Sequence, residues 1–305
     1  MPAILPASLA GANDRAMTDE ALYIRMLRKL ATHPAARGLT DDCAVLEVGA
    51  ETLILTHDMM VEGVHFLPGQ DPADVAWKLV AVNISDLAAK GAEPLGVLVG
   101  HMLGADDTGF IAGLEDALLH YGVPLLGGDT VSAGSPRVLG LTAIGRATHR
   151  PVPSRSCAMP GDTIYVTGAL GAAMLGYEAL RDGAGKDSTA YRRPMARLPE
   201  GQALAPMVSA IMDISDGLLL DARRMGRASD VTMSIDSGAV PIAAPEDRRM
   251  DALRWGDDYE LLFTAPADAA IPVKATRIGT VLEKGCEPLL LDGAVPQGRL
   301  GFEHS

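Results

Sequence analysis

The sequence predicts an α/β protein of two domains, and three observations lead there. Apolar runs of strand length alternate with amphipathic stretches of helical length. A chain of 305 residues that is 48% hydrophobic can fill two cores. An irregular, proline-rich stretch between His149 and Pro160 (R-P-V-P-S-R-S-C-A-M-P) interrupts the alternation near its middle. The expected division is a loose tail over 1–17, a first domain over 18–150 and a second over 151–305. Aromatic residues make up only 4%, so both cores must be mainly aliphatic.

In chain order, Thr18 can cap a helix from about Asp19 to Thr32, with Tyr23, Met26, Leu27 and Leu30 at i, i+3, i+4 and i+7. Asp41 and Asp42 precede an apolar strand, Cys43–Val48. Thr52–Thr56 reads as a buried strand that ends at Asp58. Asp71-Pro72 gives an N-cap and first helical position, and Gly91 and Pro94 close that helix. It carries Leu79, Asn83 and Asp86 on one face. Gly96–Leu103 is a further strand. Asp106-Asp107 opens a helix with Phe110, Ile111, Leu114, Ala117, Leu118 and Tyr121 on one face, and Gly122 ends it.

Val123–Leu126 is a short strand running into a Gly127-Gly128-Asp129-Thr130 turn, where glycines let a backbone approach a ligand. Arg137–Ala147 is a strand carrying Arg146, a guanidinium suited to phosphate or to a neighbouring aspartate. In the second half, Asp162–Thr167 reads as a strand and Gly168–Arg181 as a Gly/Ala-rich helix. A-I-M-D-I-S-D-G-L, Ala210–Leu218, puts Asp213 at a strand end and Asp216 at a helix start, with Ser215 between. Val231–Ile235 is a strand. W-G-D-D-Y-E-L-L-F-T places Asp257 and Asp258 just before another. Gly183-Ala184-Gly185-Lys186 follows a helix rather than a strand and lacks the full phosphate-loop spacing, so it is rejected as one.

One arrangement recurs: an apolar strand ends and an aspartate follows. Asp42, Asp58, Asp129, Asp213 and Asp216 fit it, and Asp86 lies on a helix face. Each alone is an ordinary turn, cap or surface residue. Six carboxylates gathered in one cleft would repel one another, and hard divalent cations remove that cost. Oxygen-only donors favour Mg²⁺, Mn²⁺ or Ca²⁺ over zinc. The pattern therefore suggests a nucleotide polyphosphate clamped by Mg²⁺ without a phosphate-binding lysine loop.

A formal net charge of −13 with no basic run argues against nucleic-acid and anionic-membrane partners. Three widely spaced cysteines, Cys43, Cys157 and Cys286, argue against a disulfide framework or a zinc site. The first residues lack a basic signal region, and no apolar run reaches spanning length. A cytoplasmic location is expected.

The ordered set D-D-C-A-V-L, T-H-D-M-M-V-E-G-V-H-F, N-I-S-D-L-A-A-K-G-A-E-P, G-G-D-T, D-I-S-D-G-L and D-D-Y-E-L-L-F resembles the thiamine-monophosphate kinases, of the superfamily that includes aminoimidazole ribonucleotide synthetase. The motifs span nearly the whole chain. The resemblance implies an N-terminal mixed sheet that pairs with a second subunit in a homodimer, and a C-terminal α/β domain over the site. It implies transfer of the γ-phosphoryl group of ATP to thiamine monophosphate, with Mg²⁺ held by Asp42, Asp58, Asp86, Asp129, Asp213 and Asp216. Asp58, Asp129, Arg146 and Asp216 would carry catalysis. Thr56, His57, Gly128, Asp129, Arg146 and Ser215 would contact ATP or its metals, and His65, Asp257 and Phe302 would meet thiamine monophosphate. Four places depart from the family pattern: Thr40 for glycine, His57 for Ser or Thr, Lys90 for Met, and W-G-D-D for G-G-E-D. The rival expectations are another ATP-dependent synthetase of the superfamily, a non-catalytic Mg–nucleotide sensor, and an acidic structural protein.

Overall fold

The computed structural model describes residues 20–303. The expected tail and the Thr18 cap lie outside the described residues. The elements are helix α1 (Glu20–Leu27), strands β1 (Ala44–Val48) and β2 (Glu51–Val61), α2 (Pro72–Ala89), β3 (Ala92–Met102), α3 (Asp107–Tyr121), β4 (Leu125–Val131) and β5 (Val138–Ala147). After the proline-rich stretch come β6 (Thr163–Val166), α4 (Ala172–Arg181), α5 (Thr189–Arg192), α6 (Leu198–Leu204), β7 (Ala210–Asp213), α7 (Leu218–Ser229) and β8 (Thr232–Ile235). The chain finishes with α8 (Arg249–Trp255), β9 (Leu261–Ala265), β10 (Thr276–Leu282) and β11 (Leu289–Leu291). The strands form a five-stranded sheet, β1-β2-β5-β3-β4, and a six-stranded sheet, β11-β8-β10-β6-β9-β7.

α2 organises both. Asp71 caps it, its side chain accepting from Ala73 N at 2.9 Å, and Pro72 fits the first position because its missing N–H would have no helical partner there. Lys90 is the C-cap, and Gly91 follows at φ 59°. The helix is buried on every side, as its nearly continuous apolar sequence requires. One side packs on Ile54, Met60, Val97, Val99, Leu139 and Leu141 of the first sheet, and Phe110, Leu114 and Ala117 of α3 complete that core. At its C-terminal end Ala88 and Ala89 pack with Leu204, Ile211, Leu261 and Phe263 of the second half. Gly201 is required at that crossing, because a Cβ there would lie 1.9 Å from the Ala88 carbonyl oxygen. The second sheet has its own core, where Leu219, Ala222 and Met225 of α7 pack with Ile164, Met212 and Leu262.

Several local expectations are corrected. β2 runs on to Val61, so Asp58 lies inside a strand rather than at its end. The G-G-D-T stretch lies within β4, not in a turn after it. α1 stops at Leu27, and Tyr23, Met26 and Leu30 are exposed, so this apolar stripe joins no core among the described residues. Ile111 points away from the α3 core and is 63% exposed. Gly217, not Asp216, is the N-cap position of α7.

Candidate active site

A cleft of about 1030 Å³ lies between the two halves, lined at one end by Asp42, Asp58, Asp86, Asp213, Ser215 and Asp216. Each of these is delivered by a different piece of backbone logic. Asp213 ends β7, and its carboxylate accepts from Ser85 Oγ of α2 at 2.6 Å. Asp86, one residue on, accepts a very short hydrogen bond from Thr56 of β2. Asn83, one turn earlier, accepts from the backbone N–H of Asp58 at 3.0 Å, tying β2 to the same helix. Asp42 enters from the loop before β1. One carboxylate oxygen from each of Asp42, Asp86 and Asp213 falls within 4.8 Å of the others.

Asp58 stands beside Asp86 and Asp213, and carboxylates gathered this closely destabilise one another's ionised form. Burial, then the charge of Asp216, pushes Asp58 up to about 6. Burial raises Asp213 to about 6, with the charge of Asp58 adding to it. Burial, Asp58 and Asp213 together hold Asp86 well above the usual carboxylate range. A cluster in this state gains by binding cations, and its oxygen-only donors fit hard divalent ions such as Mg²⁺ or Mn²⁺. Asp41, next door, behaves oppositely. Burial works against its charge, but Lys90 and Arg37 outweigh burial and bring it to about 2.

The other end of the cleft is lined by His65, Lys78, Tyr177, Tyr191, Asp257 and Phe302, among others. His65 Nδ1 accepts from Val61 N at 3.0 Å, which leaves the proton of a neutral ring on Nε2. Lys78, buried on α2, donates to Asp257 at 2.8 Å and to the His65 carbonyl at 3.0 Å, and lies 4.1 Å from the Tyr191 ring centre. Tyr259 OH donates to the other Asp257 oxygen at 3.0 Å. The W-G-D-D-Y segment reaches this position through a turn at Gly256, φ 95°, where a Cβ would sit 2.4 Å from the Ser215 carbonyl oxygen. Asp257 N then donates to that oxygen at 2.8 Å, and Phe302 N donates to Asp216 O at 2.9 Å. The loop before α7 thus sets both the aspartate end and the far end.

Strand alternation separates the remaining expected residues. Thr56, Asp58 and Gly128 lie in rows of the first sheet that face α2, in register with buried Ala143, Leu141 and Val99. His57, Asp129 and Arg146 lie in the alternate rows, on the opposite face. His57 is exposed and meets Thr142 Oγ1 at 2.9 Å. Asp129, in the row of Met59, is exposed, and its carboxylate accepts from Thr130 N at 2.9 Å. Arg146 pairs with Glu93 at 2.7 Å. Within one chain, then, five of the six expected aspartates line the cleft and Asp129 does not.

Sequence reasoning missed Lys78 and Arg155 as cleft residues, together with Arg224, which pairs with Asp216 and Asp221. The available signal for Lys78 was a charge inside the apolar run W-K-L-V-A-V. Asp258 was also missed as a structural group. Burial pushes it up to about 8, and it accepts from Gly171 N, at the start of α4, at 3.0 Å.

The family model for AIR synthase related protein, N-terminal domain, matches residues 40–147, and that for the C-terminal domain matches residues 159–286. The fold and cleft therefore define a two-domain AIR synthase-related protein. Within that class the chain belongs to the thiamine-monophosphate kinase family. It is 38% identical over 252 residues to the thiamine-monophosphate kinase of Escherichia coli (strain K12), covering 75% of this chain and 76% of that one. It is 35% identical over 312 residues to the enzyme of that name from Caulobacter vibrioides, covering 92% and 89%. Among solved structures, AaThiL complexed with AMPPCP and TMP superposes with a TM-score of 0.86 at 28% identity, over 96% of this chain and 99% of that one.

Proposed function

We propose that this protein is a thiamine-phosphate kinase that transfers the γ-phosphoryl group of ATP to thiamine monophosphate, giving thiamine diphosphate and ADP. The observation that carries the reading is the two-ended cleft, with converging aspartates at one end and rings with a histidine at the other, in a chain of this family. Asp42, Asp86 and Asp213 would hold Mg²⁺, with Asp58 and Asp216 beside them. Bound there, Mg²⁺ supplies charge neutralisation for the polyphosphate.

The chain's own groups do the rest. The attacking atom is an anionic phosphate oxygen of the acceptor. It forms the new P–O bond as the bond from the γ-phosphorus to the β-phosphate oxygen breaks, so no general base is needed. The requirement is to bring two anions together in line. On this reading His65, which lines the cleft, donates to the acceptor phosphate from Nε2. Lys78 holds the His65 backbone in place through its carbonyl. Tyr177 and Phe302 are the rings at this end suited to a cationic heteroaromatic ring, while buried Tyr191 already lies against Lys78. Asp257, already paired with Lys78, serves the acceptor end through that pair rather than as a lone counter-ion.

Asp129 enters this reading through a second copy. The exposed face of the first sheet carries Met59, Leu98, His57 and Asp129, and an apolar face of this kind suits burial against its equivalent in a homodimer. Asp129, Arg146 and His57 would then act across the interface. The division near residue 150 and a cytoplasmic location belong to the same proposal. Among the described residues no helix is long and apolar enough to cross a membrane.

The deciding experiment follows thiamine diphosphate by chromatography with ATP, Mg²⁺ and thiamine monophosphate, with thiamine and aminoimidazole precursors as control acceptors. Metal-dependent thiamine diphosphate is expected. Thermal stabilisation by Mg–ATP without product from any acceptor would sink the kinase reading and leave a nucleotide sensor.

A further inference from the structure

Arg146, the guanidinium that the sequence marks for phosphate, lies on the face of the first sheet away from α2 and pairs with Glu93. The cleft has a guanidinium of its own. Arg155 lines it, from the proline-rich stretch between the two halves. The backbone there is pinned on both sides. The Ser154 carbonyl accepts from Ile211 N of β7 at 3.1 Å, and the Arg155 carbonyl accepts from Ser229 Oγ of α7 at 3.0 Å. The Arg155 side chain is 16% exposed. One of its terminal nitrogens is in very close contact with Asp42, and its Nε is buried with no hydrogen-bond partner among the described residues.

The neighbouring cations are already committed. Lys90 meets Asp41, Asp42 and the Ile211 carbonyl, which uses all three donors of an ammonium. Arg37 meets Asp41 and the Val152 and Pro153 carbonyls. Arg224 is shared between Asp216 and Asp221. Arg155 has Asp42 as its one side-chain partner among the described residues, although a planar guanidinium carries five N–H donors. A buried N–H left unpaired costs free energy, and an anionic oxygen within reach removes that cost.

We propose that Arg155 is a nucleotide-binding residue of this cleft: its guanidinium keeps Asp42 on one side and donates its remaining N–H groups to the polyphosphate of ATP. The inference rests on the kinase reading of the cleft. A planar fork of donors can hold a carboxylate and a phosphate at once, which the point charge of a lysine does less well. Placed there, Arg155 offsets the repulsion between the aspartates and the incoming polyphosphate from within the chain.

The test separates nucleotide from metal. On the full-length protein, the affinity for the non-hydrolysable ATP analogue AMPPCP in saturating Mn²⁺ is measured by calorimetry, and that for Mn²⁺ alone by electron paramagnetic resonance. Wild type, Arg155→Met and Arg155→Lys are compared. Arg155→Met should bind AMPPCP about 10-fold or more weakly, the scale of losing hydrogen bonds to a charged group. It should bind Mn²⁺ alone at least as tightly as wild type, because a positive charge beside the aspartates has gone. Arg155→Lys should keep the wild-type Mn²⁺ affinity and lose part of the AMPPCP affinity. Equal AMPPCP affinity in wild type and Arg155→Met would overturn the proposal. So would a parallel loss of Mn²⁺ and AMPPCP binding, which would make Arg155 only a prop for Asp42. If circular dichroism shows Arg155→Met unfolded, Arg155→Lys decides: undiminished AMPPCP affinity overturns the proposal, and weaker AMPPCP with unchanged Mn²⁺ supports it. A wild-type protein that binds Mn²⁺ but no AMPPCP would remove the kinase reading itself, and this proposal with it.

Discussion

The two ends of the cleft handle charge in opposite ways. At the far end each ionised group has a built-in partner: Lys78 meets Asp257, and Tyr259 donates to the same carboxylate. At the near end Asp58, Asp86 and Asp213 stand together, and burial first, then the charge of neighbouring aspartates, raises all three. The first arrangement is complete in the folded chain. The second has no such partners, and on the proposed reading metal and nucleotide would bind where the protein gains most from it.

Removing one carboxylate from the near end breaks that contrast most sharply. Asp58→Asn should lower Mg²⁺-dependent turnover by about 10²-fold or more, the scale of losing a group that organises transition-state charge. In chelator its Tm should not fall, because the substitution relieves repulsion. A clear Tm loss without metal would show that Asp58 is a structural group.

The far end should respond in the opposite sense. Lys78→Met removes one partner of an ion pair and should cost on the order of 2 kcal/mol of stability, with or without Mg²⁺, after allowing for the partly exposed Asp257. The KM for thiamine monophosphate should rise while the KM for ATP moves little. An unchanged acceptor KM would take Lys78 and its pair out of substrate recognition.

The pH dependence sharpens the comparison further. A carboxyl whose pKa is raised on folding stabilises the native state fully below its unfolded value. That contribution is lost as pH rises through the folded value, here from about 4 to about 6 for Asp58 and Asp213. Metal binding reverses the loss, so the Tm gap between Mg²⁺ and chelator should widen from about pH 5 to pH 7.5. A gap independent of pH would mean that these carboxylates are not where the ion binds.

The smallest effect on stability is expected at the bare sheet face. Met59→Asp should leave the fold of the single chain intact by circular dichroism, since Met59 is 53% exposed within it, with only the stability that pairing itself adds being lost. Light scattering should nonetheless report half the wild-type mass if that face joins two copies. A wild-type protein already of monomer mass would leave Asp129 without a route to the cleft.

What could be read from the residues was local. Asp71-Pro72 and Gly91 delimited α2 because capping chemistry acts within a few residues. Asp213 at the end of β7 was visible for the same reason, whereas Asp58 and Asp129 lie inside strands and Gly217 rather than Asp216 caps α7. Face assignment was harder. Thr56, His57 and Asp58 are consecutive and look like one motif, yet a strand sends the middle one to the opposite side. The buried lysines were hidden more deeply. Lys90 finds Asp41 49 positions away and Lys78 finds Asp257 179 positions away, and no local pattern announces such partners.

α2 carries Lys78 toward the far end, Asn83 and Ser85 toward Asp58 and Asp213, and Asp86 itself. Eight residues separate Lys78 from Asp86, roughly 12 Å of helical rise. On the proposed reading the helix therefore acts as a ruler, setting the span between donor and acceptor sites in a rod that cannot stretch. Inserting or deleting one residue within it would swing every later side chain by about 100° and scatter the constellation. This segment should thus be the least tolerant of length change in the protein, and an acceptor longer or shorter than the ruler must be accommodated by the walls around it.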